Sequence, residues 1–66
     1  MTIIANGKRK QVEDGATVSD YLDSLQLAPT QVVIEYNHEP LRRELFAVTR
    51  LRQDDLLEIA QMVGGG

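Results

Sequence analysis

Ala16-Thr17-Val18-Ser19-Asp20-Tyr21-Leu22-Asp23-Ser24-Leu25 is the segment in which apolar residues recur with the period of a helix. Val18, Tyr21, Leu22 and Leu25 stand at i, i+3, i+4 and i+7 and make one apolar stripe. Thr17 precedes Asp20 by three positions, a Thr-x-x-Asp variant of the capping box. Ala16 and Tyr21 occupy the two staple positions around that cap. Asp20 and Asp23 lie in the N-terminal half, where the helix dipole favours negative charge. Pro29 closes the segment. A helix of about ten residues hardly forms alone in water, so its stripe must rest on something else in the chain.

The flanks supply that surface. Upstream, Met1, Ile3 and Ala5 alternate at period two, and Asn6-Gly7 follows. Both positions of a type I′ turn need positive φ, so this dipeptide predicts a tight hairpin. Lys8 to Glu13 is the returning strand, with Val12 as its main inward apolar residue. Downstream, Gln31 to Tyr36 is rich in β-branched residues and predicts a third strand. Asn37-His38-Glu39-Pro40 reads as a turn. Leu41 to Arg52 has weak patterning, with a short helical turn around Arg43–Phe46, and Asp54-Asp55 marks another turn. Leu56 to Val63 predicts a last strand, with Leu57, Ile59 and Val63 on one face.

A hairpin, one crossing helix and a later set of strands imply a single α+β domain over residues 1–63. It is a mixed sheet of four to five strands with one main helix packed on one face, the β-grasp or ubiquitin-like architecture. Residues 64–66 form a flexible glycine tail. At 66 residues such a chain cannot hollow out a deep pocket without losing much of its core, which argues against an enzyme. The absence of cysteine excludes disulfides, zinc ribbons and a thiol nucleophile. A net charge of −3 argues against nucleic acid and for a partner with a basic surface. Nothing reads as a membrane span or a signal layout, so the cytoplasm is the expected location.

Gly64-Gly65-Gly66 carries the chemistry. A carboxylate is a poor electrophile; coupled to AMP it becomes a mixed anhydride that sulfur or nitrogen can attack. An enzyme performing that step must thread the tail past its own backbone to the α-phosphate of ATP. Glycine allows that approach because it has no Cβ, and three residues reach about 10 Å. The expected site is therefore the α-carboxylate of Gly66, with Gly64 and Gly65 threading. The chain has no phosphate-binding loop of its own, so ATP belongs to the partner and no cofactor is bound.

Asn6-Gly7, Gly15-x-Thr17-Val18, Ile34-Glu35-Tyr36-Asn37, Arg43-Glu44-x-Phe46, Leu57-Glu58-Ile59 and Val63-Gly64-Gly65-Gly66 together resemble the ThiS-type sulfur carriers of thiamine biosynthesis. Arg42 stands where that family usually has Pro, Phe46 where it has Trp, and the Asp54-Asp55 turn lacks the usual Gly. The resemblance implies that a ubiquitin-activating-type enzyme adenylates Gly66 with ATP. Sulfur relayed from a cysteine desulfurase then displaces AMP to leave a thiocarboxylate. Thiazole synthase takes that sulfur and returns the carboxylate. The chain would be a protein co-substrate rather than an enzyme. A molybdopterin-type carrier, a ubiquitin-like modifier, or a β-grasp interaction module without tail chemistry are the alternatives.

Leu56, Ala60 and Met62 alternate with the inward residues of the last strand. Together with Val63 beside the tail they are the candidate partner-binding surface, unless residues 41–52 fold over it. His38 is the only histidine and reads as a solvated turn residue, so no metal set can be built on it. Lys8-Arg9-Lys10 reads as a solvated edge.

Overall fold

The computed structural model describes residues 1–62; Val63 and Gly64 to Gly66 lie outside the described residues. The elements run β1 (Thr2–Ala5), β2 (Lys8–Gln11), α1 (Val18–Ser24), a 3-10 turn (Pro29–Gln31), β3 (Val32–Tyr36), β4 (Glu39–Leu41), a second 3-10 turn (Arg43–Leu45) and β5 (Leu56–Gln61). The strands form one five-stranded sheet in the order β2-β1-β5-β3-β4. β1 and β5 pair in parallel at its centre, and the other neighbours are antiparallel. This is the β-grasp arrangement.

The hairpin turn is as its residues dictate: Asn6 has φ 50° and Gly7 φ 80°. The capping box also forms. The Asp20 N–H donates to Thr17 Oγ1 at 3.1 Å, and the Thr17 N–H donates to Asp20 Oδ2 at 2.9 Å. The helix is shorter than the stripe predicts. Gln26 enters the left-handed region at φ 60°. The Leu27 N–H then bonds the Leu22 carbonyl and the Gln26 N–H the Asp23 carbonyl, a Schellman closure with Gln in glycine's usual place. The chain has left the helix before Pro29, and Leu25 is exposed rather than part of the buried stripe.

Strand boundaries shift as well: β3 starts at Val32 because Gln31 belongs to the 3-10 turn, and β5 ends at Gln61. β2 ends at Gln11, with Val12 half-buried just beyond it. Glu39 and Pro40, expected in a turn, lie in β4; only Asn37 and His38 turn, at φ 51° and 73°. Pro40 is tolerated because β4 is an edge strand, where one side of the ladder needs no N–H. His38 is exposed, as expected of a turn residue.

The core lies between the sheet and the helix. Ile3, Val18, Leu22, Val32, Ile34 and Leu57 are all but inaccessible to solvent. Phe46 and Leu51 are also buried there. Their segment is stitched to the helix start: the Val18 N–H bonds the Thr49 carbonyl, Ser19 bonds Phe46, and Leu51 bonds Ala16. Residues 43–51 therefore close the core beside the helix. Among the described residues, the opposite face of the sheet stays uncovered.

Candidate functional site

β5 precedes the glycines in the sequence, and it is paired on both sides, by β1 and β3. β3 pairs with it from Val32↔Gln61 to Tyr36↔Leu57. The Met62 N–H extends that pairing by donating to the Gln31 carbonyl at 2.8 Å. On the other side β1 pairs only at Ile4↔Leu56 and Ala5↔Leu57. Beyond that point Asn6 takes over with its side chain. Its Oδ1 accepts from the Ile59 N–H at 2.7 Å, and its Nδ2 donates to the Ile59 carbonyl at 3.2 Å. The carboxamide thus imitates one more residue of β1. Sequence reading assigned Asn6 to the turn alone; its grip on a residue 53 positions away is a tertiary contact that no local pattern announces.

The other end of β5 is anchored by Asp55, which is 8% exposed. Its Oδ2 accepts from the Tyr36 hydroxyl at 2.6 Å and from the Arg52 N–H at 2.8 Å, while Asn37 Nδ2 donates to Oδ1 at 3.3 Å. Asn37 Oδ1 in turn accepts from the Leu56 N–H. Burial, and then the hydrogen bond and charge of Asp55, push the Tyr36 phenol up to about 12; the Arg52 charge opposes them weakly. The proton is therefore held more tightly in the folded protein than in the unfolded chain, where tyrosine titrates near 10. Stability from this group is complete below pH 10 and lost as pH rises towards 12. Urea midpoints measured from pH 9 to 12 should fall for the natural protein. Tyr36→Phe should flatten that fall, leaving the part due to Tyr21, whose phenol burial also raises.

The register separates the two faces of the sheet. Leu57 points into the core and Ile59 is half-buried against it, as the alternation predicts. Ala60 and Met62 are exposed, Met62 by 51%, and Leu56 is half-buried. Val33 stands directly opposite Ala60 and is 55% exposed; Ile4 stands opposite Leu56. Of the candidate partner-binding residues, Leu56, Ala60 and Met62 thus share the helix-free face with Val33 and Ile4, two residues that reading β5 alone overlooks. Glu35 and Glu58 face each other on the same surface. Among the described residues neither has a salt-bridge partner, so a like-charge pair stands uncompensated beside the apolar patch.

Val63, Gly64, Gly65 and Gly66, the remaining sequence candidates, lie outside the described residues. Among the described residues no group of three or more His, Asp or Glu is placed to hold a metal, and no helix is long and apolar enough to cross a membrane.

Sheet order, single helix and a central last strand define a small ubiquitin-like β-grasp protein. The model of the ThiS family matches residues 2–66. The sulfur carrier protein ThiS of Bacillus subtilis is 39% identical over 62 residues, covering 92% of this chain and 94% of that protein. The crystal structure of a thiamine biosynthesis protein (ThiS) from Geobacter metallireducens superposes with a TM-score of 0.83 at 33% identity, covering all of both chains. A thiazole synthase of Magnetococcus marinus is 33% identical over 66 residues, and this chain spans 20% of that protein's length. The chain belongs to the ThiS family, whose role is that of a sulfur carrier in thiamine biosynthesis.

Proposed function

We propose that this protein carries sulfur as a thiocarboxylate on the α-carboxylate of Gly66. A ubiquitin-activating-type partner couples that carboxylate to ATP, giving an acyl-adenylate and pyrophosphate. The terminal sulfur of a persulfide on a cysteine desulfurase relay attacks the acyl carbon and AMP leaves. A second thiol of the relay then cleaves the acyl disulfide, releasing the thiocarboxylate and forming a disulfide on the relay protein. Thiazole synthase then takes the sulfur and the carboxylate returns, so the chain is consumed and regenerated as a co-substrate. ATP is bound by the partner. The observation that carries this reading is the ThiS family match, which extends through Gly66. The Magnetococcus thiazole synthase, part of whose length is similar to this whole chain, supports thiazole synthase as the acceptor.

The test is intact-mass analysis after incubation with the adenylating enzyme, ATP and a sulfur donor. One oxygen should be exchanged for one sulfur, on the C-terminal peptide and only when ATP is present. Sulfur found on an internal residue, or an unchanged mass, would refute the proposal.

Leu56, Ala60, Met62 and Val63 are proposed to dock the partner enzymes. The exposed apolar patch and the uncompensated Glu35 and Glu58 pair call for a partner surface that is apolar at its centre and basic at its rim. Met62→Glu should slow adenylation about tenfold at limiting enzyme, the effect of one moderate contact residue. The melting temperature should stay within a degree or two, because Met62 is exposed. A rate equal to the natural protein's would remove this face from the interface.

A further inference from the structure

Asn6-Gly7 is a chemically reactive pair as well as a hairpin turn. Asparagine is among the thermolabile residues, because the amide nitrogen of the following residue can attack its side-chain carbonyl carbon. A side chain on that following residue hinders the approach, and Gly7 has none. No atom beyond its chain neighbours lies within 4 Å of where a Gly7 Cβ would stand. Asn6 itself is exposed at the tip of the β1–β2 hairpin. Base and water therefore reach both residues.

Two hydrogen bonds hold the reacting group. Asn6 Oδ1 accepts from the Ile59 N–H at 2.7 Å and Nδ2 donates to the Ile59 carbonyl at 3.2 Å. Together they fix the plane of the carboxamide against β5, whereas attack requires that plane to swing onto the Gly7 nitrogen. Closure of the turn by the Ala5↔Lys8 pair resists the same motion. The tie matters to β5 in return. Residue pairing between β1 and β5 stops at Ala5↔Leu57, so on that side the Asn6 carboxamide is the last hydrogen-bonded link to the strand among the described residues. Asn37 is the internal comparison. It is exposed and left-handed at φ 51°, as Asn6 is at φ 50°, but His38 follows it instead of glycine.

We propose that Asn6 is a deamidation site gated by β5, and that its conversion permanently loosens the strand that leads to the glycines. Base removes the Gly7 amide proton and the nitrogen attacks Asn6 Cγ. The bond to Nδ2 breaks, ammonia leaves and a succinimide ring closes. Water then opens the ring. Attack at Cγ restores the normal main chain with an aspartate side chain; attack at the main-chain carbonyl leaves isoaspartate, with the chain routed through Cβ. Neither product can rebuild the tie. A carboxylate still accepts from the Ile59 N–H, but its second oxygen has no hydrogen to give and faces the Ile59 carbonyl. Isoaspartate lengthens the main chain by a methylene and disturbs the Ala5↔Lys8 register as well. While β5 is seated the site is protected, and each opening of the strand exposes it.

The test is peptide mapping by mass spectrometry of the full chain incubated at pH 8 and 37 °C, folded in buffer and unfolded in guanidinium chloride. The peptide holding Asn6 should gain the mass difference between an amide and an acid, in both its aspartate and isoaspartate forms, while the Asn37 peptide lags behind. Conversion should be about tenfold slower in the folded protein, which reacts only from locally opened states. Asn6→Asp isolates the consequence, because aspartate also tolerates the left-handed turn. It should lower the melting temperature by about 5 °C at neutral pH. The deficit should shrink below about pH 3, where a protonated carboxyl again carries a hydrogen to donate. Conversion of Asn37 before Asn6, or none at Asn6 in the unfolded chain, would overturn the site. Equal rates in the folded and unfolded chains would overturn the gating. An Asn6→Asp variant that melts with the natural protein at neutral pH, or whose deficit is the same at low pH, would overturn the loosening of β5.

Discussion

Removing Gly66 is expected to abolish sulfur loading while leaving the folded protein as stable as before. The shortened chain still ends in a glycine carboxylate, so its intrinsic chemistry is unchanged. What changes is reach, by about 3.5 Å. Near-attack geometry is unforgiving: a displacement of about 1 Å can cost about 100-fold in rate. A deficit of more than three times that distance should put the adenylate below detection. Every buried core side chain among the described residues lies at or before Leu57, so thermal melting should match the natural protein. Gly66→Ala separates reach from shape. It restores the length but adds a Cβ, and should load measurably yet more slowly. Loading of the shortened chain at the natural rate would show that the carboxylate position is not what the partner reads.

Asp55→Ala should produce the largest loss of stability. Its nearly buried carboxylate accepts from the Tyr36 hydroxyl, the Arg52 N–H and the Asn37 carboxamide. Truncation leaves those donors facing a void, at a combined cost of about 3 kcal/mol. For a domain this small that lowers the melting temperature by roughly 15 °C. Asp54→Asn next to it is the control, because Asp54 is exposed and Asn tolerates its left-handed backbone at φ 68°. That variant should stay within about 0.5 kcal/mol of the natural protein. Similar stability of the two variants would show that the Asp55 network contributes little.

Asp55 also illustrates where reading the chain stops. As a letter it is the second half of an Asp-Asp turn; its three donors come from β3 and from the two turns beside it. Asn6 is the same case, since Asn-Gly announces a hairpin but not the carboxamide's hold on Ile59. Features confined to a few consecutive residues were legible: the positive-φ pair Asn6-Gly7, the Thr17–Asp20 box, and the inward alternation of Leu57 and Ile59. β4 was hidden because Pro40 argues against a strand unless the strand is known to be an edge. Leu25 fits the helical stripe by spacing, but it is the C-cap and stays exposed, while Leu27, beyond the left-handed turn at Gln26, packs against the core. On the outer face, Ala60 and Met62 followed from alternation within β5, whereas Val33 and Ile4 joined them only once the register between strands was known.

The position of β5 has a consequence for biosynthesis. The hairpin of β1 and β2 and the helix can begin to form while a chain is still emerging from the ribosome. The sheet cannot, because its middle lane is empty until the strand latest in sequence arrives and slots between β1 and β3. Pairings of such long sequence separation form slowly and late. A translation product truncated before Leu56 would therefore lack a closed sheet, leaving the inner edges of β1 and β3 unpaired and open to association with other chains.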